Sequence, residues 1–286
     1  MLEIIEETLI DAMKLLPFLF ITYLIMEYIE HKMGDKSKKI IKKSGKLGPL
    51  LGSILGIFPQ CGFSVSATNL YAGRVITLGT LIAVYLSTSD EMLPIFISEA
   101  VSPIIILKIL GIKLIIGMIA GFIIDLIINM FNKNKQEETD EIEHICEEEH
   151  CHCSEKGILK SAIHHTLNIF LFIVLITFLI NTVVYFVGEE TIASWILDKP
   201  ILGPVVSSLI GLIPNCAASV IITNLYLENV ISLGSMIAGL LTGAGVGLAV
   251  LFKTNDKLKE NVGIVLLVYG IGVISGIIID LIGITI

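Results

Sequence analysis

Apolar residues in this chain come in long runs rather than in alternation or in a helical stripe. Runs at 8–29, 75–97, 104–131, 163–187, 230–252 and 262–286 reach or approach the length of about 20 residues that an α-helix needs to cross a bilayer. Two more apolar stretches, 47–71 and 202–226, are split near Pro59 and Pro214 into arms of about a dozen residues. An arm that short suits a re-entrant hairpin or a discontinuous helix better than a full crossing. The pattern predicts an all-α polytopic membrane protein.

The polar punctuation repeats. Residues 47–79 read LGPLLGSILGIFPQCGFSVSATNLYAGRVITLG, and residues 202–234 read LGPVVSSLIGLIPNCAASVIITNLYLENVISLG. The offset is 155 residues without a gap, and 17 of the 33 positions are identical. The same offset relates Gly117, Gly121 and Asp125 to Gly272, Gly276 and Asp280. The expected organisation is a first membrane repeat over 1–131, a linker over 132–162 and a second membrane repeat over 163–286. Two fused copies of a proline-interrupted membrane segment are a signature of secondary transporters, and the breaks usually flank the substrate.

Lysines set the expected orientation. Seven of them (32, 36, 38, 39, 42, 43 and 46) fall in 31–46, which is therefore expected in the cytoplasm, with the N-terminus outside. Each repeat crosses three times if its broken pair returns to its own side and five times if both arms cross. Both counts are odd, so the second copy is expected to be inverted. Lys253, Lys257 and Lys259 then lie inside, as does the linker 132–162. Lys108 and Lys113 fit poorly, because they sit early in a span; snorkelling or a later helix start would accommodate them.

Composition sharpens this picture only a little. The chain is 54% hydrophobic and 16% charged, which excludes an ordinary soluble domain. The net charge of −8 comes mostly from the linker, and nothing points to nucleic acid. The acidic start MLEIIEE leads directly into the first span, so no cleavable signal peptide is expected. Of five cysteines, Cys61 and Cys216 occupy matching repeat positions, and Cys146, Cys151 and Cys153 crowd the linker. That is not the spacing of a disulfide scaffold.

Four groups of residues could carry chemistry. The first lies at the two breaks. Proline frees backbone groups, Gln60 and Asn215 add amides, and Cys61 and Cys216 add thiols. Ser64 and Ser219, Thr68 and Thr223, and Asn69 and Asn224 follow at helical spacing. Pseudo-symmetry would gather them near mid-membrane around a substrate; the plainer reading is a kink with small residues for packing.

The second group is Asp125 and Asp280, each closing a Gly-x-x-x-Gly-x-x-x-Asp face. They could bind a coupling proton or a cation, or cap the broken helices. The third is Ser87-Thr88-Ser89-Asp90-Glu91, matched by Thr242-Gly243-Ala244-Gly245-Val246. It reads as an N-cap in a second interrupted span, with Asp90 and Glu91 as cation ligands in one copy only. The fourth is the linker run HICEEEHCHC. There His144, Cys146, His150, Cys151, His152 and Cys153 would bind a soft or borderline metal, for capture, for sensing or incidentally.

The paired PQC and PNC breaks, the T-N-L-Y that follows each, the S-T-S-D-E turn and the His/Cys-rich central loop resemble the ten-helix heavy-metal exporters. Members of that family are described as arsenic-efflux proteins or manganese transporters. The resemblance spans nearly the whole chain and implies a multi-pass permease of the inner (cytoplasmic) membrane that lowers cytosolic metal or metalloid.

The residues and the resemblance together lead to an exporter of a heavy-metal ion, working by alternating access, with a manganese-like divalent ion slightly favoured. An arsenite or organoarsenical permease, a small-organic-solute transporter and a membrane metal sensor are the alternatives. No enzyme is expected, since no nucleophile–base pair and no nucleotide loop stand out. No cofactor is required beyond the transported or loop-bound metal ion. The expected partners are the lipid bilayer and the metal or metalloid, and a homodimer is compatible with the reading.

Overall fold

The computed structural model describes residues 8, 10, 13, 16, 17, 19–21, 23, 24, 47–58, 61–89, 91–131, 158–187 and 201–283. Pro59, Gln60, Asp90 and the linker residues His144, Cys146, His150, Cys151, His152 and Cys153 lie outside them. The regular elements among the described residues are all helices. The described positions between 8 and 24 are helical. After them come α1 (Gly48–Gly56), α2 (Gly62–Ala72), α3 (Leu78–Ser87), α4 (Met92–Ser98) and α5 (Pro103–Phe131). The rest of the chain forms α6 (Ile158–Val187), α7 (Leu202–Gly211), α8 (Cys216–Leu227), α9 (Leu233–Thr242), α10 (Gly247–Thr254) and α11 (Leu258–Ile282). Moving α3 by 155 residues gives α9 with no shift at either end, and the other elements follow the same offset to within a few residues.

The helices sort into a centre and a periphery. Leu81, Ile82, Ala83, Tyr85 and Leu86 of α3 are fully buried, as are Met236, Ile237, Ala238 and Leu241 of α9. Each of these helices continues after a short break, α3 into α4 and α9 into α10, so that 78–98 and 233–254 form two central, interrupted spans. By contrast, α5, α6 and α11 turn large apolar side chains outward, among them Leu107, Ile119, Leu126, Leu171, Leu175, Leu266 and Ile274. Bulky apolar residues on the outside and tight packing within are what a lipid solvent demands.

Lipid tails give helices no hydrophobic reason to associate, so close backbone contact through small residues does that work. A Cβ on Gly48 would meet Thr80 Oγ1 at 2.1 Å, one on Gly52 would meet Thr80 O at 2.9 Å, and one on Gly56 would meet Ser87 Oγ at 2.1 Å. Position advances on both helices together, so α1 runs parallel to α3. Thr68 of α2 meets Tyr85 near the far end of α3 (2.5 Å), although only the short turn 73–77 separates α2 from α3. Hence α2 runs back against α3, and α1–α2 is a hairpin whose tip, near Cys61, lies level with the end of α3. The pair thus folds back on itself alongside α3. The second half repeats the contacts: a Cβ on Gly211 would meet Gly239 O at 2.2 Å and Thr242 Oγ1 at 2.3 Å.

The Gly-x-x-x-Gly-x-x-x-Asp faces pack closely in both halves. A Cβ on Gly79 would lie 2.2 Å from Gly121 O, and one on Gly234 would lie 2.3 Å from Gly276 O. A side chain at either glycine would not fit. The halves also contact each other reciprocally: α2 packs on α10, and α8 packs on α4. Equivalent elements thus pair across the two halves.

Candidate functional site

The two hairpin tips meet. Cys61 Sγ lies 3.5 Å from Cys216 Sγ. These are repeat-equivalent positions, 155 residues apart. Cys61 is buried and Cys216 partly so. Cys61 is the N-cap of α2, and Cys216 is the first residue of α8, so the partly positive starts of two helices face the sulfurs. Around them pack Leu19 and Tyr23 of the first helical segment, Ile169 and Ile173 of α6, and Val246 and Val250 at the second break. Each half therefore contributes its outermost helix as a wall.

The polar residues expected beside the thiols divide into three kinds. Ser64, Thr68 and Thr223 are buried and bonded: Ser64 Oγ donates to Cys61 O at 2.8 Å, Thr68 Oγ1 to Ser64 O at 2.7 Å, and Thr223 Oγ1 to Ser219 O at 2.6 Å. Ser64 and Ser219 flank the second break from its two ends. Cβ atoms built on Gly247 and Gly243 would stand 3.0 and 3.2 Å from their hydroxyl oxygens. Thr68 Oγ1 and Tyr85 Oη both reach Gly247 O, each at 3.2 Å.

Asn215 has a different task. Its Oδ1 accepts from the backbone N–H of Ala217 at 2.9 Å, so it is the N-cap that starts α8 after Pro214. Its amide donates to Asn181 Oδ1, and Asn181 in turn donates to Thr8 Oγ1 at 3.1 Å, tying the tip to the outer helices.

Asn69 and Asn224 part company. Asn69 is 2% exposed and accepts from Tyr23 Oη at 3.3 Å, and its amide nitrogen is buried with no partner. Asn224 is exposed on the surface of α8, so it does not line a site with the thiols. Repeat equivalence is not burial equivalence where the covering helix differs.

The two aspartates sit at the other end of the central spans. Asp125 Oδ1 accepts from Gly79 N at 2.9 Å and Oδ2 from Thr77 Oγ1 at 2.7 Å. Asp280 Oδ1 accepts from Gly234 N at 2.9 Å and Oδ2 from Ser232 Oγ at 2.8 Å. Thr77 and Ser232 are themselves the N-caps of α3 and α9, each accepting from the N–H three residues on at 3.1 Å. Both carboxylates thus reinforce a helix start, with all four oxygens engaged. A helix of ten residues, about 15 Å, separates each of them from the level of the sulfurs.

The hydroxyl-rich turn departs from its expected role as an N-cap. Ser87 Oγ donates to Ala83 O at 2.7 Å, Thr88 Oγ1 to Val84 O at 2.7 Å and Ser89 Oγ to Ser87 O at 3.1 Å. They close the C-terminal end of α3. Glu91 is the N-cap of α4 but makes no side-chain capping bond.

Lys113 does not snorkel. It is 0% exposed, and its ammonium donates to Thr88 O and, at 3.0 Å, to Leu240 O, one carbonyl from each half. Lys108, five residues earlier, is exposed as a membrane-edge lysine should be. The second half has Val268 in the place of Lys113, so the repeat gave no warning of a buried cation.

Among the described residues, no group of three or more His, Cys, Asp or Glu side chains gathers closely enough to hold a metal ion. Cys61 and Cys216 can supply two sulfur ligands.

Compared with known proteins, the chain matches a family model described as "Putative, 10TM heavy-metal exporter" over residues 1–187 and again over 167–285. No curated protein and no solved structure matches it.

Proposed function

The chain belongs to this heavy-metal exporter family, a family of multi-pass membrane transporters rather than an enzyme class, and from that premise we propose that it exports a thiophilic metal or metalloid species, held between Cys61 and Cys216. The observation that carries the reading is the 3.5 Å contact between the two sulfurs. Soft thiolates select soft or borderline ions and metalloids. Two thiolates on one tetrahedral zinc, at about 2.3 Å each, stand roughly 3.8 Å apart, so such a species needs only a few tenths of an ångström of movement here. The starts of α2 and α8 stabilise the negative sulfurs of the adduct.

A manganese-like ion fits less well. It prefers carboxylate oxygens, and Asp125 and Asp280 are committed to helix starts about one half-span away. Residue counts favour a hard divalent ion, whereas the geometry favours a soft one.

Transport requires the site to open to each side in turn. Inverted halves in the cytoplasmic membrane would provide this by rocking about the hairpin tips. The contact between Arg74 and Glu260 supports inversion: Arg74 precedes the first central span, Glu260 follows the second, and their side chains meet at 2.8 Å. The start of one span is then level with the end of the other, so the two run in opposite directions. This face carries Lys253, Lys257 and Lys259 and is assigned to the cytoplasm. The linker thiols and imidazoles would collect metal on the same side.

Uptake into inside-out vesicles tests the proposal. Arsenite or zinc should accumulate saturably, manganese should not, and Cys61→Ser or Cys216→Ser should abolish the uptake. Manganese accumulation that survives both substitutions would replace the soft-ion reading with the hard one.

A further inference from the structure

Both central spans end their first arms on one side chain. α3 stops at Ser87 and α9 at Thr242, part-way through stretches that together would cross a bilayer. A helix end leaves carbonyls without partners and carries partial negative charge. Hydroxyls satisfy some of those carbonyls, as Ser87 and Thr88 do in α3 and Thr242 does in α9 through Gly239 O at 2.9 Å. The ammonium of Lys113 reaches two more, Thr88 O and Leu240 O. The lysine hangs from α5, an unbroken helix of the first half, and spans to the second. An ammonium is a compact, strongly hydrated charge, costly to bury unless fixed dipoles replace its water. Here the carbonyl ends of two helices supply two of its partners.

In transporters, unwound carbonyls and half-helix C-termini at mid-membrane are where a free monovalent cation binds. We infer that Thr88 O and Leu240 O belong to a monovalent-cation site whose occupant is the tethered ammonium of Lys113. The chain carries its own cation where another transporter would recruit one from solution. Shortening the side chain should therefore expose a site for a small monovalent cation, whereas replacing it with an apolar side chain of similar length should fill the space and leave none.

Thermal unfolding of the purified full chain tests this without relying on transport. Wild type, Lys113→Ala and Lys113→Met are compared in choline, sodium and methylammonium chloride at one ionic strength, choline being too large to enter. Sodium or methylammonium at about five times its Kd should raise the Tm of Lys113→Ala by about 2–4 °C. Wild type and Lys113→Met should not distinguish the salts. Recovery of folded Lys113→Ala only in sodium or methylammonium is the same result in stronger form.

The inference is overturned if Lys113→Ala unfolds at one temperature in all three salts, if it folds in none, or if wild type responds equally. A transport assay adds an arm that rests on the exporter reading: uptake lost in Lys113→Ala should return with the small cation. A salt-dependent Tm with no uptake by any variant, wild type included, would count against the exporter reading and leave the cation site standing.

Discussion

In the first half Asp125 takes the amide of Gly79 at 2.9 Å and the hydroxyl of Thr77 at 2.7 Å; in the second, Asp280 takes the amide of Gly234 at 2.9 Å and the hydroxyl of Ser232 at 2.8 Å. The glycine contacts agree as closely. Yet Lys113 faces Val268 across the repeat, Arg74 faces Asn229, and Glu260 faces Ile105. Even the turn that holds Arg74 is shared: Arg74 and Asn229 both have left-handed φ, 54° and 58°. Asn tolerates that conformation, while Arg is uncommon there and is held by its pair with Glu260 and by stacking 5.2 Å over Tyr71. The residues kept in duplicate build the scaffold and the sulfur pair. The residues present once do what the molecule needs only once or on one face.

If that division is right, substitutions in the duplicated class should hurt equally from either half. The largest effect is expected at Gly79 and Gly234. Leucine at either position would drive a side chain into backbone 2.2 or 2.3 Å away, and neither variant should yield folded protein. Gly111 and Gly263, with nothing within 4 Å, should tolerate alanine and gain about 0.5–1 kcal/mol of helix propensity each. Expression and Tm measure both. Folded Gly79→Leu beside unfolded Gly234→Leu would break the symmetry.

Next come Asp125→Asn and Asp280→Asn. A cap that loses its charge should cost about 1–2 kcal/mol, seen as a Tm lower by about 2–6 °C, equal in the two variants. Transport per folded molecule should be kept. Loss of transport with an unchanged Tm would make these carboxylates coupling groups instead of caps.

The smallest effect belongs to the one-sided ion pair. Arg74 and Glu260 are about a quarter exposed, at 25% and 28%, so Glu260→Gln should cost no more than about 1 kcal/mol. Ile105→Glu in the other half should not recreate the pair, since Asn229 carries no charge. A drop of several kcal/mol for Glu260→Gln would mean that the pair closes the molecule on that face.

Much of the fold was legible because the repeat doubled every signal. Pro59 and Pro214, the glycine faces and the second interrupted span all announced themselves twice. The meeting of Cys61 with Cys216 was an inference from equivalence alone, and the sulfurs do touch. What escaped had no second copy. Lys113 serves carbonyls 25 and 127 positions away and looks on the page like a lysine at a membrane edge. Asn69 and Asn224 are identical in sequence, yet only the first is buried, because covering helices decide that and they are not part of the motif. In sequence the turn after Ser87 suits a cap for α4, yet its hydroxyls bond backward into α3. A hydroxyl run between two helices has no direction in sequence.

The sulfur pair as a metal site is tested most directly by titrating the purified protein with cadmium(II) and reading thiolate-to-metal ultraviolet absorption. The chain should first be stripped of its linker thiols by Cys146→Ser, Cys151→Ser and Cys153→Ser, which leaves two of its five cysteines. One equivalent should bind, with the signal lost on adding either Cys61→Ser or Cys216→Ser. A folded protein that shows no thiolate absorption, or one whose signal survives either substitution unchanged, would contradict it.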